Sequence, residues 1–304
     1  MKAVADERLD LMDALVYGDA FNCAVTLDEL WRYARIRVGR EALLRLLEED
    51  SALRSLVAER DGLYSFADRP ELLALRPGRI DRARALQKRA SRVARVIRHV
   101  PFVRAIALTG SAAAADAGEE ADVDLLVVVE RDRLGTVFVL LGAASRVLGR
   151  RLFCPNYYVS SEDIAVEPRG LYVARELEQA QVLVGDPDVL SAANGWLRDV
   201  FPNLPPRSGH PSATRSSPVQ GMLEALLGGR LERWSRRLAF ARLRAHYGAF
   251  GSPVPPDVAA GFAAGRALRF HAGGTVAQAL AQYEVRRAQL AVALDGLRAV
   301  REAG

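Results

Sequence analysis

The chain has 304 residues, half of them hydrophobic and 26% charged, which is the composition of a globular protein with room for two or three domains. Its net charge of +5 comes almost entirely from arginine, since Lys2 and Lys88 are the only lysines, and it favours anionic partners only weakly. Cys23 and Cys154 are too few for a disulfide framework or a cysteine-based metal site. No apolar run reaches membrane-spanning length and the first residues include acids, so we expect a cytoplasmic protein without a membrane partner.

Residues 1–75 have the pattern of a winged helix-turn-helix-like domain, with three short helices followed by a hairpin. This fold commonly binds DNA, but the third helix mixes glutamates with its arginines, so protein contact or packing is an equal alternative. The predicted segments are Leu9–Tyr17, a helix opened by a Thr26 and Glu29 capping box, Gly39–Asp50, and the strands Leu53–Ala58 and Leu63–Phe66.

Residues 76–99 form the most basic segment, and their apolar spacing predicts an amphipathic helix that leads into the central domain. Its arginine face, which includes Arg82, Arg89 and Arg92, could meet a triphosphate or a nucleic acid. A solvated helix face explains the same arginines and is the favoured interpretation.

The central segment, residues 104–130, reads RAIALTGSAAAADAGEEADVDLLVVVE. It predicts a strand, a Gly110-Ser111 turn, an alanine-rich helix over Ser111–Ala117 and a second strand over Leu125–Val129. Gly110 allows a close backbone approach, and the free N–H groups of a helix that opens at Ser111 suit a phosphate.

Asp122 and Asp124 stand where the second strand begins. Residues i and i+2 of a strand project to the same face, so we expect these carboxylates side by side, with Val123 turned into the core. Two such carboxylates repel each other unless a cation lies between them. Oxygen ligands from one or two carboxylates and a substrate phosphate are the usual environment of Mg²⁺.

Gly110-Ser111, a ten-residue spacer, and Asp122-Val-Asp124 inside apolar residues together resemble the signature of the DNA polymerase β-type nucleotidyltransferase superfamily. The resemblance covers about residues 104–160. It implies that Gly110 and Ser111 hold a nucleoside triphosphate, and that Asp122 and Asp124 bind Mg²⁺, or Mn²⁺ in its place. The arrangement of the flanking segments is similar to that of stand-alone prokaryotic nucleotidyltransferase-domain proteins.

The family usually takes a third carboxylate from the next strand, which we predict over Leu152–Ser160 after a helix over Leu134–Leu148. No acid lies within that strand. Asn156 could replace the carboxylate as a neutral ligand and catalytic residue, or Glu162 or Asp163 could reach back from beyond the strand. Alternation predicts Cys154, Asn156 and Tyr158 on one face of the strand.

The remaining third of the chain is predicted to be mostly helical. Tyr172, Arg175 and Glu176, within a helix predicted over Gly170–Gln181, could line the site or simply pack. Residues 202–218 are rich in Pro, Ser and Gly, which is typical of a linker. Three helices are then predicted over 222–247, 257–267 and 275–301.

The sequence thus predicts an α+β protein with a winged helix-turn-helix-like domain (1–75), a small mixed-sheet nucleotidyltransferase core (76–203), and a linker with a C-terminal helical domain (204–304). The expected activity is Mg²⁺-dependent transfer of a nucleoside monophosphate from a nucleoside triphosphate to an acceptor hydroxyl. The acceptor, whether small molecule, protein or RNA, is left open. The alternative is a degenerate nucleotide sensor that regulates by binding DNA through its winged helix.

Overall fold

The computed structural model describes residues 2–149, 153–164, 166, 169–190, 194–205, 218–227, 230–249, 251–270 and 274–303. Helices and two sheets, one of them mixed, confirm the α+β class. Most of the predicted 202–218 linker lies outside the described residues. None of the helices in the described ranges is long and apolar enough to cross a membrane.

The elements up to residue 97 alternate short helices with short strands, and a 27-residue helix ends the series. In chain order they are α1 (Lys2–Leu11), α2 (Asp13–Ala20), β1 (Val25–Thr26), α3 (Leu27–Arg32), α4 (Arg40–Glu49), α5 (Ser51–Leu56), β2 (Val57–Arg60), β3 (Leu63–Phe66) and α6 (Glu71–Ile97).

The later elements contain a larger sheet and the helices that cover it. They are β4 (Val103–Thr109), α7 (Gly110–Ala113), β5 (Asp124–Val129), α8 (Leu134–Leu148), β6 (Cys154–Ser160), α9 (Leu171–Gln179), β7 (Gln181–Val184), α10 (Leu197–Val200), α11 (Pro218–Leu227), α12 (Arg230–Ala249), α13 (Pro256–Ala263), β8 (Ala267–Arg269) and α14 (Gly274–Ala303).

The chain divides into two compact units, and each is assembled from separate stretches of sequence. The first unit contains Met1–Gly78, Trp196–Pro206 and Gly273–Gly304. The second contains Arg79–Gly195 and Arg207–Ala272. The units therefore divide the chain differently from the three ranges predicted from the sequence, because the last helix belongs with the N-terminal segment.

The first unit has a small antiparallel sheet in the order β1-β3-β2. The predicted capping box is present at α3, where Thr26 and Glu29 bond each other's backbone N–H. The predicted strand over Leu53–Ala58 is wrong over its first four residues. Asp50 accepts the N–H groups of Ala52 and Leu53, and this cap starts a helix that continues to Leu56.

The second unit contains the five-stranded mixed sheet, in the order β7-β4-β5-β6-β8. β5 is antiparallel to β4 and parallel to β6. Val123, Leu125 and Val127 face one hydrophobic core together with residues of α6, α8 and α12. Leu126 and Val128 are also buried, so both faces of β5 are covered, as its unbroken apolar run predicts.

The predicted alternation in β6 fails at Asn156. Leu125 pairs with Pro155 and Leu126 with Tyr157, so Asn156 is an extra residue in a bulge. The extra residue shifts the alternation of side chains between the two faces of β6 by one position. Tyr158 therefore enters the same core as Phe153. Cys154 and Asn156 remain on the face of Asp124, whereas Tyr158 does not.

Two further predictions differ from the structure. The alanine-rich helix ends at Ala113 because Ala115 adopts a positive φ of 54°, and the N–H of Asp116 turns back to the carbonyl of Ser111. The region predicted as helix over 257–267 ends in β8 instead, which pairs with β6 and closes that edge of the sheet.

Candidate functional site

The candidate site lies at one end of the sheet in the second unit, where three neighbouring strands align. Asp124 opens β5, pairing with Thr109 at the end of β4 and with Cys154 at the start of β6. Asp122 precedes the strand, and Val123 between the two acids is fully buried, as predicted. The strand register thus places both acids beside Cys154.

Asp122, Asp124 and Cys154 form a compact group of metal-binding atoms. One carboxylate oxygen of each acid and the sulfur of Cys154 all lie within 4.8 Å of one another. Cys154 was predicted only as a residue on the site face of its strand. The register of parallel strands brings it next to Asp124, and a single sequence contains no signal for that register.

Gly110 brings the backbone directly against Asp124. Its φ is +70°, a conformation that favours glycine, and a Cβ at this position would lie 2.8 Å from Oδ2 of Asp124. Any other residue would be strained and would also collide with the carboxylate. Gly110 therefore lies directly against Asp124, and the adjacent Ser111 is exposed.

Glu176 of α9 adds a third carboxylate to this end of the sheet. The N–H of Gly110 donates a hydrogen bond of 3.2 Å to Oε2 of Glu176. Sequence reasoning noted Glu176 only as one of several residues that could line the site or pack. Helical periodicity alone does not indicate which residue of α9 contacts Gly110.

Asn156 contacts the acidic pair through its side chain. Its Nδ2 donates a 2.7 Å hydrogen bond to Oδ1 of Asp124, and the residue is only 7% exposed. The bulge in β6 turns Asn156 towards Asp124. The structure thus places Asn156 in the site, where it positions a carboxylate.

Glu162 and Asp163, the alternative to Asn156 that the sequence leaves open, do not reach the site. They follow Ser160 at the far end of β6, about 20 Å from Cys154 for a seven-residue strand. Glu162 pairs with Arg131 at 2.8 Å, and Asp163 lies 3.9 Å from Arg266. Both acids are engaged at the opposite end of the sheet.

Three ionisable groups at this end of the sheet have raised pKa values, and burial is the largest cause of each. Burial, with the charges of Asp122 and Glu176, raises the pKa of Asp124 from 3.8 to about 7. Burial also raises the pKa of Glu176 to about 7, despite the hydrogen bond from Gly110 and the nearby Arg175, which lower it. Burial and the two aspartates raise the pKa of Cys154 to about 11. Perturbed pKa values that arise from burial together with neighbouring charges are typical of functional sites.

The basic face of α6 has a positioning role near this site. Arg79 pairs with Asp116 at 3.3 Å, and Nε of Arg82 donates to the carbonyl of Ala117 at 3.0 Å. These contacts hold the segment between α7 and Asp122. Arg82 therefore contacts the site's supporting loop, whereas Arg92 is exposed to solvent.

A cavity of about 350 Å³ adjoins the group at Cys154. Phe138 provides an aromatic wall, and Arg146 and Arg242 add positive charge. Its lining includes neither Asp122 nor Asp124, and it shares Phe153 and Tyr158 with the hydrophobic core on the opposite face of the sheet from Asp124.

Comparison of the chain with protein-family models, with curated proteins and with solved structures finds no match.

Proposed function

We propose that the second unit is a nucleotidyltransferase core, which moves a nucleoside monophosphate from a nucleoside triphosphate to an acceptor hydroxyl and releases pyrophosphate. The single observation that carries the proposal is the close approach of the Gly110-Ser111 turn to Asp124, with Asp122 beside it. It supports the proposal because Gly110 follows the end of β4 and Asp124 opens the adjacent β5, so a backbone suited to a phosphate would lie beside a pair suited to a cation.

The donor atoms of Asp122 and Asp124 suit Mg²⁺, since both offer carboxylate oxygens and leave positions for substrate phosphates. Mg²⁺, when bound, would neutralise charge on the triphosphate and on the departing pyrophosphate. Asn156 holds Asp124 in place through its 2.7 Å hydrogen bond, which is a positioning role.

Glu176 controls access to the Gly110 backbone in this proposal. Its carboxylate occupies the Gly110 N–H, which is the donor that a phosphate would need. A triphosphate must therefore displace the side chain or meet it in its protonated form. Because the pKa of Glu176 is about 7, both forms are populated at neutral pH.

The charges on α4 do not favour the DNA-binding alternative. α4, which would be the recognition helix of a winged helix, carries Glu41, Glu48 and Glu49 against Arg40 and Arg45. Phosphate contacts dominate affinity for DNA, and a helix with more acids than bases provides little of that attraction.

The experiment that tests the proposal is a thermal shift titration with each nucleoside triphosphate and Mg²⁺. A ligand at 100 times its Kd adds about 2.7 kcal/mol to the folded state. We expect stabilisation of the wild-type protein, and loss of its Mg²⁺-dependent part in the Asp122→Asn, Asp124→Asn double variant. Equal melting temperatures with and without all nucleotides at millimolar concentration would refute a nucleotide site.

A further inference from the structure

Cys154 sits in the acidic group by virtue of the strand register. Its N–H donates to the carbonyl of Val123 at 2.8 Å, and its ladder partner is Asp124. Its sulfur lies within 4.8 Å of carboxylate oxygens of both Asp122 and Asp124. The sheet therefore fixes a thiol against two carboxylates that repel each other, which is an unfavourable arrangement without a cation.

Asn156 gives a second and independent indication of a missing ligand. Its side chain is more than nine-tenths buried and its amide is directed at Asp124. The Oδ1 atom of this amide is buried, yet it accepts no hydrogen bond from the described part of the chain. A buried acceptor without a partner is destabilising, and a cation beside it would remove that penalty.

We propose that Asp122, Asp124 and Cys154 form a binding site for a borderline-soft divalent metal ion, with Zn²⁺ as the expected occupant and a fourth position beside Asn156. Zn²⁺ accepts mixed sulfur and oxygen ligands, whereas Mg²⁺ takes oxygen ligands alone. The inference extends the proposed function because the two aspartates belong to both sites. It concerns the nucleotide-free protein, in which Cys154 adds to the two aspartates a sulfur ligand that Mg²⁺ does not take.

The geometry requires only a small closure of the group. With Zn–S of about 2.3 Å and Zn–O of about 2.1 Å, ligand atoms around a tetrahedral ion lie about 3.5 Å apart. The present atoms lie within 4.8 Å of one another. Side-chain rotation alone can supply a movement of about 1 Å, since Asp122 is exposed and precedes the strand.

Co²⁺ is the probe for the first test because a thiolate bound to Co²⁺ absorbs in the near ultraviolet. The proteins are the wild type, Cys154→Ser, and Cys23→Ser as a matched control that removes the other cysteine of the chain. We expect the absorption in the wild type and in Cys23→Ser, with no absorption in Cys154→Ser. Zn²⁺ should abolish it, and Mg²⁺ at the same concentration should not. An unchanged spectrum in Cys154→Ser, or no Co²⁺ binding to the wild type, would overturn the proposal.

The second test uses unsubstituted protein and so does not depend on the folding of a variant. A thiol reagent is added to the native protein with and without equimolar Zn²⁺, and mass spectrometry of peptides identifies the modified cysteine. We expect Zn²⁺ to slow modification of Cys154 by at least tenfold while Cys23 reacts unchanged. Equal rates at Cys154 would contradict the inference.

The two proposals can fail separately because these tests contain no nucleotide. If Cys154 does not bind metal but Mg²⁺ and a nucleoside triphosphate still stabilise the protein, only the Zn²⁺ site is wrong. If Zn²⁺ binds and nucleotides have no effect, the metal site stands and nucleotidyl transfer does not.

Discussion

The Asp124→Asn substitution should make the metal-free protein more stable at high pH and leave it unchanged near pH 4. The charged form of Asp124 is disfavoured in the folded state, where its pKa is about 7 instead of 3.8. At a pH between these two values, Asp124 is protonated in the folded state and ionised in the unfolded state. The free energy of unfolding of the wild type therefore falls as the pH rises through this range. Asparagine does not titrate, so the variant escapes this loss. It also keeps an oxygen that can accept the hydrogen bond from Asn156.

The size of the expected gain in stability follows from the pKa shift of Asp124. About three pKa units correspond to about 4 kcal/mol, as an upper value for a fully isolated group. Asp124 is partly exposed and titrates together with Glu176, so about 2 kcal/mol is the expected gain. For a unit of this size, that gain raises the melting temperature by about 4–8 °C.

The assay is a melting curve in a chelator at half-unit steps from pH 4 to pH 9. The matched control is Asp132→Asn, since Asp132 is 71% exposed in its side chain and its φ of 55° suits asparagine equally well. We expect the difference between Asp124→Asn and wild type to grow with pH, whereas Asp132→Asn stays parallel to wild type. A constant or shrinking difference for Asp124→Asn would refute the electrostatic account of the site.

Four further outcomes follow from the contacts described. Gly110→Ala should lower the melting temperature and weaken nucleotide binding, because its Cβ would lie 2.8 Å from a carboxylate oxygen; normal melting and binding would contradict this. Asn156→Ala should reduce turnover at least tenfold with nearly unchanged nucleotide binding by calorimetry, and unchanged turnover would remove it from the site. Glu176→Gln should bind metal-free nucleoside triphosphate more tightly by calorimetry, since one repelling charge is gone, and weaker binding would contradict its gating role. Tyr283→Phe should cost about 1–3 kcal/mol in denaturant unfolding of the first unit, because its hydroxyl bonds the buried carboxylate of Asp13 at 2.5 Å; no loss would show that the bond is not stabilising.

Local sequence signals predicted the main strands and helices around the candidate site. The apolar run that ends in Gly110, the apolar run after Asp124 and the helix over Leu134–Leu148 all depend on neighbouring residues, and each is present in the structure. The capping box of α3 is likewise a signal contained within four residues.

The remaining features depend on long-range pairing that a single sequence does not encode visibly. The short strand at Ala267–Arg269 forms only because β6 offers a free edge more than 100 residues earlier. The bulge at Asn156, the position of Cys154 beside Asp124 and the contact of Glu176 with Gly110 are also set by register and packing. Periodicity predicts the face of a residue but not its neighbour on another strand.

The central claim is nucleotidyl transfer, and isotope position in the nucleotide tests it most directly. The protein is incubated with Mg²⁺, a cell extract and each nucleoside triphosphate labelled at either the α- or the γ-phosphate. For the wild-type protein, the account predicts that the α-label enters a product and that the γ-label leaves in pyrophosphate. The Asp122→Asn, Asp124→Asn double variant should neither incorporate the α-label nor release labelled pyrophosphate. Transfer of γ-label to an acceptor, or equal α-label incorporation by wild type and double variant, would contradict it.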